Sequence, residues 1–253
     1  MADAAACGQK ADAMRTLTVF LSLLCLLLPV RTAQSQTANA PASELLFEVW
    51  REGSPMGRHR LTFTPQGDRL TVDIAIDLSV GLGPFTLYRY QHRSQEVWQL
   101  GRLIGLSTQT DDDGDNFRVV AALGPQGLAL TEGMEKSPLP AGIQPTSYWH
   151  AASLGSGNGV MLDTQDGRLR QITIRDLGPD RLDINGRPSE TRRYRISGDL
   201  EMDLWYLPTG DWAGLEFTAR GSKITYRRLT PPDVAVVPPG FAPRPGDSLG
   251  SRP

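Results

Sequence analysis

Cysteine is nearly missing from this chain, and both examples, Cys7 and Cys25, fall in a segment that reads as a removable leader. What remains then has no disulfide, no thiolate ligand and no cysteine nucleophile. Histidine is scarce too. His59, His92 and His150 stand far apart, with no pair at the spacing zinc sites use, so neither a metal nor another cofactor is expected. The acidic run Asp111-Asp-Asp-Gly-Asp115 departs from the calcium-loop pattern in its glycine and its missing final glutamate, and reads as a solvated hairpin tip. A serine nucleophile elbow is absent, because Gly155-Ser156-Gly157 lacks the Gly-x-Ser-x-Gly spacing. The glycines at Gly81, Gly83 and from Gly155 to Gly159 lack the strand-then-helix context of a phosphate cradle, so they are turns. A net charge of −2 with no polybasic stretch gives nucleic acid no electrostatic handle.

What is present begins with a leader. Arg15 precedes the apolar run Leu17 to Val30, and small residues follow at Ala33 and Ser35, the layout of a secretory signal over residues 1–35. Met14 offers a second start. Pro29 and Arg31 close the run short of the length a membrane anchor needs, so no transmembrane segment is expected after cleavage, and the protein is expected in the periplasm or secreted. Residues 36–43 read as a polar leader, 44–229 as one β domain, and 230–253, with seven prolines, as a flexible tail.

Between those limits the pattern has period two. Glu44 to Glu52 sets Leu45, Phe47 and Val49 against Leu46, Glu48 and Trp50, as a strand with one buried face does. Further strands read from Arg58 to Thr64 and from Arg69 to Leu78, with Pro65-Gln-Gly-Asp68 reversing the chain between them. Gly124-Pro-Gln-Gly127 and Asn185-Gly186 are the next clear turns. A two-residue turn at Asp166-Gly167 predicts Asp163 opposite Arg170 and Met161 opposite Ile172. A three-residue turn at Gly198 predicts Arg193 opposite Asp203 and Ile196 opposite Leu200. The irregular stretch from Lys136 to Gly159 holds at most one short helix, near 146–152, with Thr146 as its N-cap. The fold class is therefore all-β: a single antiparallel meander curled into a barrel or half-barrel.

The stretch Phe85 to Gln99 carries the candidate site. Counting by two places Tyr88, Tyr90, His92, Ser94, Glu96 and Trp98 on one strand face, with Phe85, Leu87, Arg89, Gln91, Arg93 and Gln95 on the other. An aromatic row punctuated by a histidine and a glutamate suits the wall of a half-open cavity. His92 and Glu96 share a face and form a candidate acid–base pair, set against the plainer reading of hydrogen-bonded wall residues. Tyr148, Trp149 and His150 could cap or plug the same cavity. His59, between Arg58 and Arg60, reads as solvent-facing.

One family comparison follows from these residues. Glu96-x-Trp98, Gly101-x-Leu103, Thr108-x-Thr110, Ser147-Tyr-Trp149, Leu204-Trp-Tyr206, Trp212, Leu215-x-Phe217, Gly221 and Ile224-x-Tyr226 together resemble an uncharacterised family of exported bacterial proteins, a domain of unknown function. That family is similar in layout to periplasmic β-rich half-barrels of the lipoprotein-carrier kind, which hold acyl chains in an apolar hollow. The resemblance implies a lipid or other apolar partner and carries no catalytic residue. The expected function is an exported, non-enzymatic protein binding an apolar or amphipathic ligand in a concave sheet. The alternatives are a structural or interaction module of the envelope, and a hydrolase or isomerase using His92 with Glu96, or His150.

Overall fold

The computed structural model describes residues 42–82, 85–133 and 135–244. The segment expected to be a signal, its expected cleavage site, most of the polar leader and the last nine residues of the proline-rich tail lie outside the described residues. Within them, fifteen strands form one sheet: β1 (Ser43–Arg51), β2 (Ser54–Gln66), β3 (Arg69–Leu82), β4 (Phe85–Gln99), β5 (Arg102–Asp112), β6 (Asp115–Gly124), β7 (Gly127–Glu132), β8 (Glu135–Pro138), β9 (Gln144–Pro145), β10 (Gly157–Leu162), β11 (Leu169–Ile184), β12 (Arg187–Gly198), β13 (Met202–Tyr206), β14 (Trp212–Ala219) and β15 (Ser222–Arg228). The strands lie side by side in chain order. The exception is the join of β1 to β15, which leaves β8 and β9 as the two edges. Every pairing is antiparallel except the short β9–β10 contact.

Alternation explains the layers. Leu45, Phe47 and Val49 on β1, Leu61 and Phe63 on β2, and Leu70, Val72, Ile74 and Ile76 on β3 all turn to one side and are buried. Each such side chain contributes about 1.5–3 kcal/mol. Bulges at Val49/Trp50, Val80/Gly81, Val97/Trp98 and Asp176/Gly178 break the ladder. A bulge adds a local bend and extra twist, so this sheet curls rather than lying flat. The curl brings distant strands together: Arg220, in the β14–β15 turn, pairs with Asp112 at the end of β5, 3.2 Å away. No ladder joins β8 to β9 among the described residues. The β10–β11 loop bridges part of that gap, with Thr110 Oγ1 donating to the Gln165 carbonyl at 3.1 Å and Val119 lying against Gly167.

Inside the curl runs the irregular segment 139–154, with Leu139, Ile143, Tyr148, Trp149 and Leu154 buried. The helix expected at Thr146 is a single 3-10 turn, Ala151–Ser153, capped by His150. Thr146 is engaged elsewhere, its hydroxyl accepting the Thr164 N–H at 3.1 Å. The proline-rich segment, expected to trail free, is held as far as Arg244. Val236 is fully buried, and the Arg244 N–H donates to the Gly101 carbonyl at 2.7 Å.

Two hairpin registers differ from those expected. Met161 faces Arg170, not Ile172, because the turn spans four residues: the Gly167 N–H donates to the Asp163 carbonyl and Asp163 Oδ1 accepts the Gln165 N–H. The expected pairing of Asp163 with Arg170 survives as an ion pair at 2.9 Å, reached diagonally by the long arginine. Likewise Arg195, not Arg193, faces Asp203, and Ile196 faces Met202, not Leu200. β12 continues past Ile196 to pair Gly198 with Ile172, so the turn lies further on. Asn185-Gly186 joins Ile184 to Arg187 as a two-residue turn with both φ positive, the geometry that favours this dipeptide.

Candidate functional site

β4 places the predicted row as its spacing requires. Tyr90, His92, Ser94, Glu96 and Trp98 are buried on the concave side, and Phe85, Leu87, Arg89, Arg93 and Gln95 are exposed on the other. Neighbouring strands set their surroundings, with Ile76, Ile74 and Val72 of β3 opposite His92, Ser94 and Glu96, and Thr110 and Thr108 of β5 opposite His92 and Ser94. Tyr88, at the rim, is half-buried; its hydroxyl donates to Asp112 at 2.8 Å and Arg220 stacks over its ring at 4.7 Å.

Glu96 is the centre of the row. Its Oε2 accepts both indole N–H groups, from Trp98 at 2.9 Å and from Trp149 at 3.1 Å, and the two rings meet edge to face at 5.3 Å. Burial drives its carboxyl above the usual range, against the pull of Ser147, Trp149 and Trp98 toward the charged form. Its Oε1 has no hydrogen-bond partner. His92 shares its Nδ1 with the Thr110 hydroxyl at 2.9 Å. It does not meet Glu96: four residues of strand separate the two by about 13 Å along the chain, and each has other partners. The candidate acid–base pair is therefore not formed.

His59 is a correction in the other direction. The solvent-facing position expected for it is in fact interior, 5% exposed, in a box of Phe47, Trp212 and Tyr226 whose ring centroids lie 5.4–6.3 Å away. Neither of its ring nitrogens has a partner. Burial, with the charge of nearby His92, lowers its pKa to about 3, and burial lowers that of His92 to about 4, so both are neutral near pH 7. Five residues of this region, His59, Tyr90, Ser94, Glu96 and Thr108, thus hold buried polar atoms without partners.

With that geometry in hand, comparison with known proteins decides the family. Residues 47–229 match the family described as Domain of unknown function (DUF6134). The chain belongs to this family. No curated protein matches it. Among solved structures, it is similar to the crystal structure of a beta-barrel-like protein of Domain of Unknown Function DUF1849 from Brucella abortus, with a TM-score of 0.53 and 10% identity. That likeness covers 75% of this chain and 96% of the other, and it supports the fold alone.

The remaining candidates in this DUF6134 domain fill space. Trp98, Tyr148 and Trp149 do not line an open hollow; they are buried among their neighbours, Trp149 against Phe63 and Tyr148 against Trp212. The Tyr148 carbonyl accepts the Tyr206 hydroxyl at 3.0 Å. His150 accepts the Ala152 N–H on Nδ1 and packs against Gly210, a structural cap rather than a reactive group. A shallow groove of about 340 Å³ is lined by the outward side chains Arg60, Asp73, Arg93, Gln95 and Gln109, together with Ser94 and Thr108. Asp111–Asp115 forms the exposed β5–β6 tip, where Asp111 accepts the Gly114 N–H. Among the described residues no helix is long and apolar enough to cross a membrane.

Two buried groups were missed at the sequence level, and alternation could have found both. His59 is in phase with Leu61 and Phe63; Arg228 is in phase with Ile224 and Tyr226. Arg228, 2% exposed, donates to the carbonyls of Trp212, Thr230, Pro231 and Val234 and so pins the start of the proline-rich segment.

Proposed function

We propose that this is an exported, non-enzymatic protein that binds an amphipathic or apolar ligand on the concave side of its curled sheet. The observation that carries the reading is the set of buried polar atoms without partners on His59, Tyr90, Ser94, Glu96 and Thr108, set among apolar side chains such as Phe47, Ile74 and Ile76. Folded proteins pair nearly all their buried polar groups, and a region that leaves several unpaired suits a place where another molecule supplies the partners. The signal-like run from Leu17 to Val30 supports export. N-terminal sequencing of protein recovered from the periplasm or medium tests that part, with a new terminus near Ser35 or Ala40 expected. Native mass spectrometry and solvent extraction of gently purified protein test the binding. A co-purifying apolar mass is expected; repeated preparations free of one, with ordered water alone along the row, would refute it.

A second reading, an interaction module of the envelope, draws on Phe85 and Leu87, 71% and 62% exposed on the outer face of β4. Exposed apolar pairs of this kind suit a protein contact. Loss of partner capture in Phe85→Ser/Leu87→Ser, with ligand content unchanged, would favour it.

A further inference from the structure

We infer that the interior row selects a ligand whose polar end is uncharged and rich in hydrogen-bond acceptors, such as an ester or amide carbonyl, over an anionic one. This rests on the binding reading above. The first argument is where the protons are. Glu96 Oε2 already accepts from two indoles, so a proton on this buried carboxyl belongs on Oε1, which then donates. Ser94 and Thr108 face each other across β4 and β5, one alternation step from Glu96. Their hydroxyls are buried and unpaired, although opposed Ser and Thr residues commonly bond one another. The Tyr90 hydroxyl adds a fourth donor on the same strand face. Carbonyls of the surrounding strands are engaged in the ladder and Ser147 is the side chain that reaches Glu96, so a guest carrying acceptors would meet the Ser94, Thr108 and Tyr90 hydroxyls unpaired.

The second argument is charge. Arg228 is the one buried arginine or lysine among the described residues, and its guanidinium is held by four main-chain carbonyls. His59 and His92 sit in apolar or hydroxyl surroundings that favour their neutral forms. An anion entering here would leave water without gaining a cation, which is costly in a low-dielectric interior. A neutral carbonyl gains the donors and escapes that cost.

Monoolein and oleate share an acyl chain and differ in the head, so they separate the two ideas. The mature full-length chain at pH 7.5 would be titrated with each, following tryptophan fluorescence and native mass spectra. Monoolein is expected to bind one to one and at least tenfold more tightly than oleate. Ser94→Ala/Thr108→Val should weaken monoolein tenfold or more without lowering the thermal midpoint of the free protein, because it removes unpaired buried hydroxyls. Oleate binding as tightly as monoolein, or a double variant with unchanged monoolein affinity, would overturn the inference and leave the binding reading standing. Binding of neither probe would overturn both.

Discussion

Glu96 offers the sharpest test of how this interior is held. In Glu96→Ala two buried indole N–H groups, on Trp98 and Trp149, lose their shared acceptor. Each orphaned donor costs about 1–3 kcal/mol, so the variant should lose roughly 2–6 kcal/mol, a large part of the 5–15 kcal/mol typical of a domain. Glu96→Gln keeps a carbonyl oxygen for both indoles and should stay within about 1 kcal/mol of the parent at acid pH. The pH dependence then separates the two effects. Because burial raises the folded carboxyl above its unfolded value of 4.5, the native state retains a proton that the unfolded chain has lost. Stability is therefore full below pH 4.5 and falls by about 1.4 kcal/mol per pH unit as pH rises toward the folded pKa. Glutamine has no such loss, so its stability relative to the parent should climb as pH rises above 4.5. Urea unfolding of the three proteins from pH 4 to 8 measures this. A glutamine variant as unstable as the alanine one, or a difference that is flat with pH, would refute the reasoning.

Other outcomes follow from the same interior. His59→Phe should stabilise the protein at pH 7 by about 1–3 kcal/mol, since both imidazole nitrogens lack partners in an aromatic box. The folded pKa of His59 is depressed to about 3, so its contribution is complete above pH 6.5 and is lost as pH falls toward 3. The phenylalanine variant should accordingly shed about 1.4 kcal/mol per pH unit of acid sensitivity in that window, read by thermal melts. Arg228→Lys keeps the charge but not the planar fork across four carbonyls, and should cost about 2–4 kcal/mol while exposing residues 230–244 to limited proteolysis. Gly210 has φ +90 and a Cβ there would lie 2.5 Å from His150 Nε2, so Gly210→Ala should cost about 2 kcal/mol. His150→Ala in that background should recover the part due to the clash, which a double-mutant cycle measures.

What could be read from the sequence was whatever depends on one strand at a time. Period-two alternation settles which face of β4 turns inward, because a half-buried strand must hide every second side chain, and the row Tyr90, His92, Glu96 and Trp98 follows from it. The same rule reaches His59 and Arg228, but the charged neighbours Arg58, Arg60 and Arg227 mask it, since composition suggests water where phase dictates the interior. Register is less accessible, because it depends on how a turn satisfies its own main chain. Asp163 commits its backbone to a wider turn and β12 carries its ladder on to Gly198, and each moves the pairing two residues from the expected register. Least accessible of all is the contact that defines the site: Trp149 reaches Glu96 across 53 residues, from a segment with no regular period. A carboxylate on a strand face reads alone as a polar wall residue; only the folded chain buries it, which raises its pKa, and brings a second indole, which pulls the other way. The chemistry of this interior is thus a property of the curl more than of any strand in it, and substitutions in segment 139–154 should disturb it as much as substitutions in β4.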